Sequence, residues 1–273
     1  MAPASDTACP VVGIDTGGTF TDFLLVRDGR LTVHKVPSTP DDPSRAILQG
    51  LAELGMGGDA AAATFVHGST VATNALLERK GAVTALITTE GMEDVLELGR
   101  QARPGLYDLT PQLPPPLVPR SLRFGVRERV AADGSVLLAL TAQDAQRVAE
   151  EVGRSGAQAV CVSLLFSFLA PAHEELLHDA LAGLDPPLFL SISSRVLPQY
   201  REYERTSTVA VNAYVGPFMA SYLQRLEEAL GPGRVAGIRQ GDGRSTGASR
   251  VRVMQSSGGS ISARVAADQP VRT

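Results

Sequence analysis

Residues 15–22 read Asp15-Thr16-Gly17-Gly18-Thr19-Phe20-Thr21-Asp22, a combination of residue types suited to holding phosphate. Two adjacent glycines between β-rich runs are expected to turn with φ > 0 and to let a ligand approach the backbone without interference from a Cβ. Successive N–H groups in such a turn form an anion-binding concavity. Thr16 and Thr19 add hydroxyl donors for phosphate oxygens. Asp15, at the end of a strand, is placed to hold Mg2+ directly or through water, since hard cations take oxygen ligands. The same residues also suit a plain hairpin turn with threonines favoured by β propensity, and spacing alone leaves the two readings open. Rival nucleotide signatures fail. No GxxxxGK[ST] occurs, and Gly55-x-Gly57-x-x-Ala60 follows a helical pattern rather than a strand.

A second segment, His67-Gly68-Ser69-Thr70 with Thr73 and Asn74, places polar side chains at a strand-to-helix junction. Free N–H groups attract anions there, and His67 is suited to acid–base work near neutral pH. The plainer alternative is a helix N-cap by Ser69 or Thr70 beside a hydrogen-bonded histidine. A third segment sets Arg201, Glu202, Glu204 and Arg205 among hydroxyls at the start of a long helix. By itself that pattern describes a solvated face with Glu/Arg pairs. Arg100, Arg103 and Tyr107 border a proline-rich loop and suit a carboxylate-bearing ligand, although a structural loop is the simpler account. His34, His173 and His178 lack the neighbours of a metal site and are expected on the surface.

The elements that must position these residues follow from periodicity. Strands are expected at 11–14, 23–26 and 31–36, with an Asp-Gly turn between the last two, so three antiparallel strands open the chain. A helix follows, with Pro43 in its first turn and Ala46, Ile47, Leu51 and Leu54 on one face. Further on come a strand at 64–66, a helix over 71–80 stopped by Gly81, a strand at 83–88 and a short helix over 92–98. Residues 104–119 hold six of the 18 prolines and read as an irregular loop. Residues 124–130 and 135–140 flank Asp133-Gly134 as a hairpin. Thr141 and Asp144 resemble a capping box opening a helix to about 154. A strand over 158–166, a helix over 172–184 and a strand over 188–192 complete a smaller α/β layer at 141–195. A helix over 199–230 is expected to break at Pro217. Residues 231–250 read as a flexible insertion, and 252–255 as a last strand.

Composition narrows the function. With 25 basic and 29 acidic residues the net charge is −4, which argues against a nucleic-acid partner. Only two of the basic residues are lysines, which reads as genome composition. Aromatics are scarce and Trp is absent, so a stacking platform is not expected. Two cysteines make neither a disulfide framework nor a four-cysteine zinc site, and Cys161 reads as a buried hydrophobe. No secretory signal or bilayer-spanning run is visible, so a soluble, cytoplasmic protein without membrane contact is expected.

Several segments in order, VVGIDTGGTFTDFLLV, VPSTPDDPSRAILQGL, FVHGSTVATNALLERKGAVTALITTEGMEDVLELGRQ and VLPQYREYERTSTVAVNAYVGPFM, closely resemble the hydantoinase/oxoprolinase family. That family includes the A subunit of ATP-dependent hydantoinases, 5-oxoprolinase and acetone or acetophenone carboxylase subunits. The resemblance covers nearly all of residues 11–273. It implies an α/β fold of the actin-like ATPase superfamily: a ribonuclease-H-like lobe with a mixed sheet, an inserted smaller α/β layer and the start of a second lobe. The expected division is 10–195 and 196–273.

The implied chemistry is ATP-dependent, ring-opening hydrolysis of a cyclic amide of the 5-oxoproline or hydantoin type, through phosphoryl activation of the amide carbonyl. Such transfer needs positioning and charge neutralisation more than covalent help. On the resemblance, Asp15 is the Mg2+-associated acid. Thr16, Gly17, Gly18 and Thr19 cradle phosphate, and Asp22 orients the threonines, lies near the metal or merely caps the turn. His67 and Glu204 join Asp15 in the catalytic set, while Ser69, Thr70, Asn74 and Arg205 face the substrate. A hydantoinase B-type subunit and an oligomeric state are implied as partners. The family pattern continues past VMQSSGGSISA to a second Asp-x-Gly-Gly-Thr hairpin, which residues 1–273 do not contain. The 273-residue chain alone is therefore expected to expose apolar surface, to bind nucleotide weakly and to turn over neither hydantoin nor 5-oxoproline. The alternatives are a non-catalytic, partner-binding module and a ketone carboxylase subunit.

Overall fold

Pairing starts at a three-strand meander whose hydrophobic alternation sets its register. In the computed structural model β1 (Val11–Thr16), β2 (Phe20–Arg27) and β3 (Arg30–Pro37) are antiparallel neighbours, as expected. The structure describes residues 9–39, 42–56, 63–102, 105, 107, 110, 114–230 and 251–273. The expected insertion at 231–250, and Gly57, Gly58 and Arg103, lie outside them. Contacts divide the chain into two compact units, Met1–Arg79 with Phe218–Thr273, and Lys80–Pro217. The boundary at 195/196 expected from motif order falls inside the second.

In the first unit, α1 (Pro43–Glu53) is N-capped by Asp42, with Pro43 in its first turn. Next come β4 (Thr64–Ser69) and α2 (Val71–Leu77). The sheet order is β12-β11-β4-β1-β2-β3, where β11 is Val251–Met254 and β12 is Ser260–Ser262. β1 runs parallel to β4, and β4 parallel to β11. This is the mixed sheet of the expected lobe. Residues 251–254 differ from expectation in one respect. Instead of opening a second lobe they complete this sheet, because Val251 and Val253 bury the same face as Phe65 and His67. Nor are they the last strand, since β12 returns antiparallel to them and leads into α8 (Ala263–Asp268).

The two sheet faces differ. Val12, Ile14, Phe23 and Leu25 are buried with Ile47 and Leu51 of α1 and with Met219, Tyr222, Leu223 and Leu226. The alternate residues of β1–β3, including Val11, Leu24, Val26, Leu31 and Val33, are exposed, so this chain does present apolar surface. α2 ends at Leu77 rather than Lys80, because Arg79 already adopts a left-handed φ of 56°. Gly81 serves another purpose: a Cβ there would lie 2.2 Å from the Tyr214 ring.

The second unit holds a parallel sheet in the order β10-β9-β5-β6. These strands are Phe189–Ile192, Ala159–Ser163, Thr84–Thr89 and Arg123–Val126. β5 and β9 are buried along their whole length, as strands covered on both faces must be. α4 (Ala142–Arg154) begins at Thr141, whose hydroxyl accepts from the Asp144 N–H as the capping box predicts, and α5 is Ala172–Ala182. The expected hairpin at 124–140 is split. β6 joins β5, and only β7 (Arg129–Val130) pairs with β8 (Val136–Leu138). Glu128 is the cause, because its carboxylate turns inward to Thr89 and His173. His173 is consequently buried rather than on the surface.

α3 (Val95–Leu98) is shorter than expected because residues 89–95 close three-residue turns. The short α6 (Ser193–Val196) precedes α7 (Glu202–Leu230), which continues through Pro217 instead of breaking. The flanking Val215 and Met219 are both buried, and that packing outweighs the lost bond. Among the described residues no helix is long and apolar enough to cross a membrane.

Candidate functional site

At the β1–β2 tip the Thr16, Gly17 and Thr19 carbonyls are occupied, and the Gly18 and Thr19 amides are open. The Gly17 N–H donates to the Phe20 carbonyl at 3.0 Å and closes the turn. Ser38, just past β3, donates its hydroxyl to the Gly17 carbonyl (2.8 Å) and its N–H to the Thr19 carbonyl (2.9 Å). Thr70 donates its hydroxyl to the Thr16 carbonyl at 3.3 Å. Among the described residues, the N–H groups of Gly18 and Thr19 have no protein acceptor. A loop with bound carbonyls and free amides presents positive polarity, as anion-binding concavities do. Neither Gly17 nor Gly18 adopts the left-handed φ expected of them. Close approach accounts for Gly17 instead, since a Cβ there would sit 3.2 Å from the Phe20 carbonyl oxygen.

Parallel pairing brings the second segment alongside. Thr16 faces Ser69 in register, so the β4–α2 junction lies beside the tip. The Ser69 hydroxyl accepts from the Val71 N–H at 3.1 Å, and the Asn74 amide donates to the Thr70 hydroxyl at 3.3 Å. That Asn74 amide also stands 3.9 Å from where a Gly18 Cβ would be. Sequence reasoning missed Ser38. The register that opposes Phe20 to Pro37 was its signal, because it carries the chain after β3 to the tip.

Strand alternation separates the acidic residues from His67. Asp15 points to the exposed face, where a Cβ on Gly68 would sit 3.3 Å from its Oδ1, so the glycine leaves a recess beside the carboxylate. Asp22 does not orient the threonines. It pairs with Lys35 at 2.6 Å across β2–β3. No cluster of three or more His, Cys, Asp or Glu residues suited to a metal occurs among the described residues. The single Asp15 carboxylate is of the donor type that Mg2+ accepts, since that ion takes one or two carboxylates and completes its shell with water and substrate phosphates.

His67 points the other way, into the core, and is fully buried. Its Nε2 bonds the Tyr222 hydroxyl at 2.7 Å. Burial pulls its pKa down to about 4, opposed by the Ile14 carbonyl. The expectation that it works near neutral pH at a substrate is thereby corrected, because a sealed imidazole neither reaches a ligand nor carries charge at pH 7. The sign of its linkage to stability follows. The unfolded ring takes a proton below about pH 6.5 while the folded ring resists until about pH 4, so stability falls as pH drops through that window. Chemical denaturation between pH 7 and pH 4 is expected to show this slope, and His67→Phe to flatten it. A slope identical in the variant would assign the effect elsewhere.

The third segment lies in the second unit. Glu204 accepts from Arg100 Nε at 2.8 Å, and this hydrogen bond holds its carboxyl below the usual range. Arg205, expected on the substrate side, is instead buried and donates to the carbonyls of Gln199 (2.8 Å) and Leu164 (2.7 Å). Tyr107 is exposed. Cys161 is buried, as expected, and burial pushes its thiol up to about 12.

Comparison with known proteins gives a consistent picture. Residues 11–183 match the model of the hydantoinase/oxoprolinase N-terminal region, and residues 205–273 match that of hydantoinase/oxoprolinase. The alpha subunit of caprolactamase from Pseudomonas jessenii is 38% identical over 229 residues, covering 79% of this chain and 32% of that protein. The crystal structure of the ATP-dependent caprolactamase from Pseudomonas jessenii aligns with TM-score 0.78 and 33% identity, over 93% of this chain and 36% of its own. The nucleotide-free structure of an acetone carboxylase aligns with TM-score 0.78 and 29% identity, over 96% and 38%. The chain thus spans between about a fifth and somewhat over a third of the length of the curated relatives it matches.

Proposed function

Because the chain belongs to the hydantoinase/oxoprolinase family, we propose that it is the phosphate-binding part of a cytoplasmic enzyme that consumes ATP to open the ring of a cyclic amide. The observation that carries this reading is the β1–β2 tip, with its carbonyls tied to Ser38 and Thr70 and its Gly18 and Thr19 amides free. In this reading the free Gly18 and Thr19 amides hold phosphate oxygens, Gly17 shapes the turn, Thr16 is buried beneath it as support rather than as a ligand, and Asp15 holds Mg2+ in the recess above Gly68. The metal neutralises phosphate charge when bound. Asn74, Thr70 and Ser69 border the same tip and orient what lies there.

The reaction balances without a protein nucleophile. The amide oxygen attacks the γ-phosphorus, and the bond to the ADP oxygen breaks. Water then adds to the activated carbon, the ring C–N bond breaks with a proton delivered to nitrogen to leave an acyl phosphate, and a second water hydrolyses this to the carboxylate and inorganic phosphate. Glu204 is the carboxylate proposed for the proton-handling side of this chemistry, since its Arg100 partner keeps it ionised. A hydantoinase B-type subunit is the proposed partner, in keeping with a relative named as an alpha subunit.

Activation of a ketone is the second reading, favoured by the equal TM-score of the acetone carboxylase. ATP consumption by the full-length protein with its companion subunit, measured against ε-caprolactam, hydantoin, 5-oxoproline, acetone and acetophenone, separates the two. Stimulation by cyclic amides is expected. Stimulation by ketones alone would replace the first reading with the second.

A further inference from the structure

We propose that a cavity in the second unit binds a small, uncharged cyclic amide by the C=O and N–H that share one edge of its ring. This rests on the reading above, that the reaction acts on a cyclic amide, and adds where such a ring sits and which kind it is. The cavity measures about 440 Å3, within the ~300–1,000 Å3 common for small-molecule sites. Its lining combines apolar Met92, Val95 and Leu98 with polar Arg100, Tyr203 and Glu204. An aliphatic ring with one polar edge has the same combination.

The polar residues match that edge in detail. A ring holds its amide cis, so a donor and an acceptor lie side by side. Arg100 and Glu204, joined at 2.8 Å through Nε and Oε1, present a donor beside an acceptor. Among the described residues the Arg100 Nη groups make no other protein hydrogen bond, and besides Arg100 the Glu204 carboxylate meets only its own backbone N–H. The guanidinium is thus free to donate to the ring carbonyl and the carboxylate to accept from the ring N–H. Bonds to charged groups of this kind are the stronger ones.

Charge decides the kind of amide. Asp94, which also lines the cavity, is already taken by Arg120 and Arg123. That leaves Arg100 and Arg201 against Glu202 and Glu204, a balanced set that gives a ligand carboxylate no net attraction. The backbone here is also unusual. Gln101 and Arg201 both line the cavity with φ of 56° and 71°, and Gly99 has φ 54° and ψ −136°. Left-handed non-glycine residues are uncommon and concentrate at ligand sites.

The test is methyl NMR of the 273-residue chain titrated with ε-caprolactam, 2-pyrrolidinone and 5-oxoproline, with nucleotide titrated in parallel. 2-Pyrrolidinone and 5-oxoproline differ only in the carboxylate. The two uncharged lactams are expected to shift the methyls of Met92, Val95 and Leu98 and to leave Val12 and Ile14 unmoved. 5-Oxoproline is expected to bind about tenfold more weakly than 2-pyrrolidinone. Arg100→Ala and Glu204→Gln, both at partly exposed positions, are each expected to weaken lactam binding about tenfold. Unmoved cavity methyls, tighter binding of 5-oxoproline, or variants of unchanged affinity would each overturn the assignment. Nucleotide binding without lactam binding refutes this cavity alone, whereas lactam binding here with no lactam-stimulated ATP consumption by the full-length protein and its companion subunit refutes the ATP reading and leaves the cavity standing.

Discussion

Asp15→Asn is expected to lower the ATP turnover of the full-length enzyme by about 10²-fold or more, the scale seen when one preorganised electrostatic group is removed. Among the described residues no cation pairs with Asp15, whereas its cross-strand neighbour Asp22 is paired with Lys35. It points to the exposed face over Gly68, and the substitution keeps its shape while removing its charge. Nothing in the core depends on it, so the melting temperature should not move. ATPase assays with a cyclic amide present, alongside thermal unfolding, make the check. Unchanged kinetics would remove Asp15 from the site, and a large drop in melting temperature would turn a catalytic result into a folding one.

Arg205→Ala is expected to act in the opposite way, destabilising the fold by about 3 kcal/mol or more. The side chain is almost fully buried, its guanidinium bridges the Gln199 and Leu164 carbonyls, and it lies 5.4 Å from the Phe168 ring centre. Burial draws its pKa down, and the nearby Glu174 and Glu202 charges oppose that. Truncation strands the Gln199 carbonyl, leaves the Leu164 carbonyl with only the Ser167 N–H at 3.4 Å, and opens a void. Arg205→Lys should recover only part of the loss, because a single ammonium cannot span both acceptors as the planar fork does. Urea denaturation reads the effect directly. Full stability together with a raised KM would return Arg205 to the substrate side, where its sequence context suggested it belonged.

These two residues show how much of the site was legible beforehand. Asp15, the glycine pair and the threonines stand in one contiguous segment, and a tight hairpin brings its own neighbours together. Thr70 and Asn74 follow directly from a strand parallel to β1. Arg205 and His67 carry the same kind of polar chemistry in the sequence, yet both are buried. Their environment comes from distant chain: His67 meets Tyr222, which is 155 residues away, and Arg205 meets Leu164, which is 41 residues away.

The family resemblance suggested a division at 195/196, whereas the structure contains two compact units of which the first is built from both ends of the chain. The sequence by itself determined the meander, the capped helices, the buried strands and the tight glycine-pair turn. Each of these depends on side-chain alternation or on a cap within a few residues. The tertiary structure alone decided that β11 joins β4, that Glu128 splits the expected hairpin, that His67 is sealed and that Arg100 meets Glu204 beside a cavity. Those outcomes depend on which distant surfaces exclude water together. Local periodicity states that a face is apolar and leaves its partner unspecified.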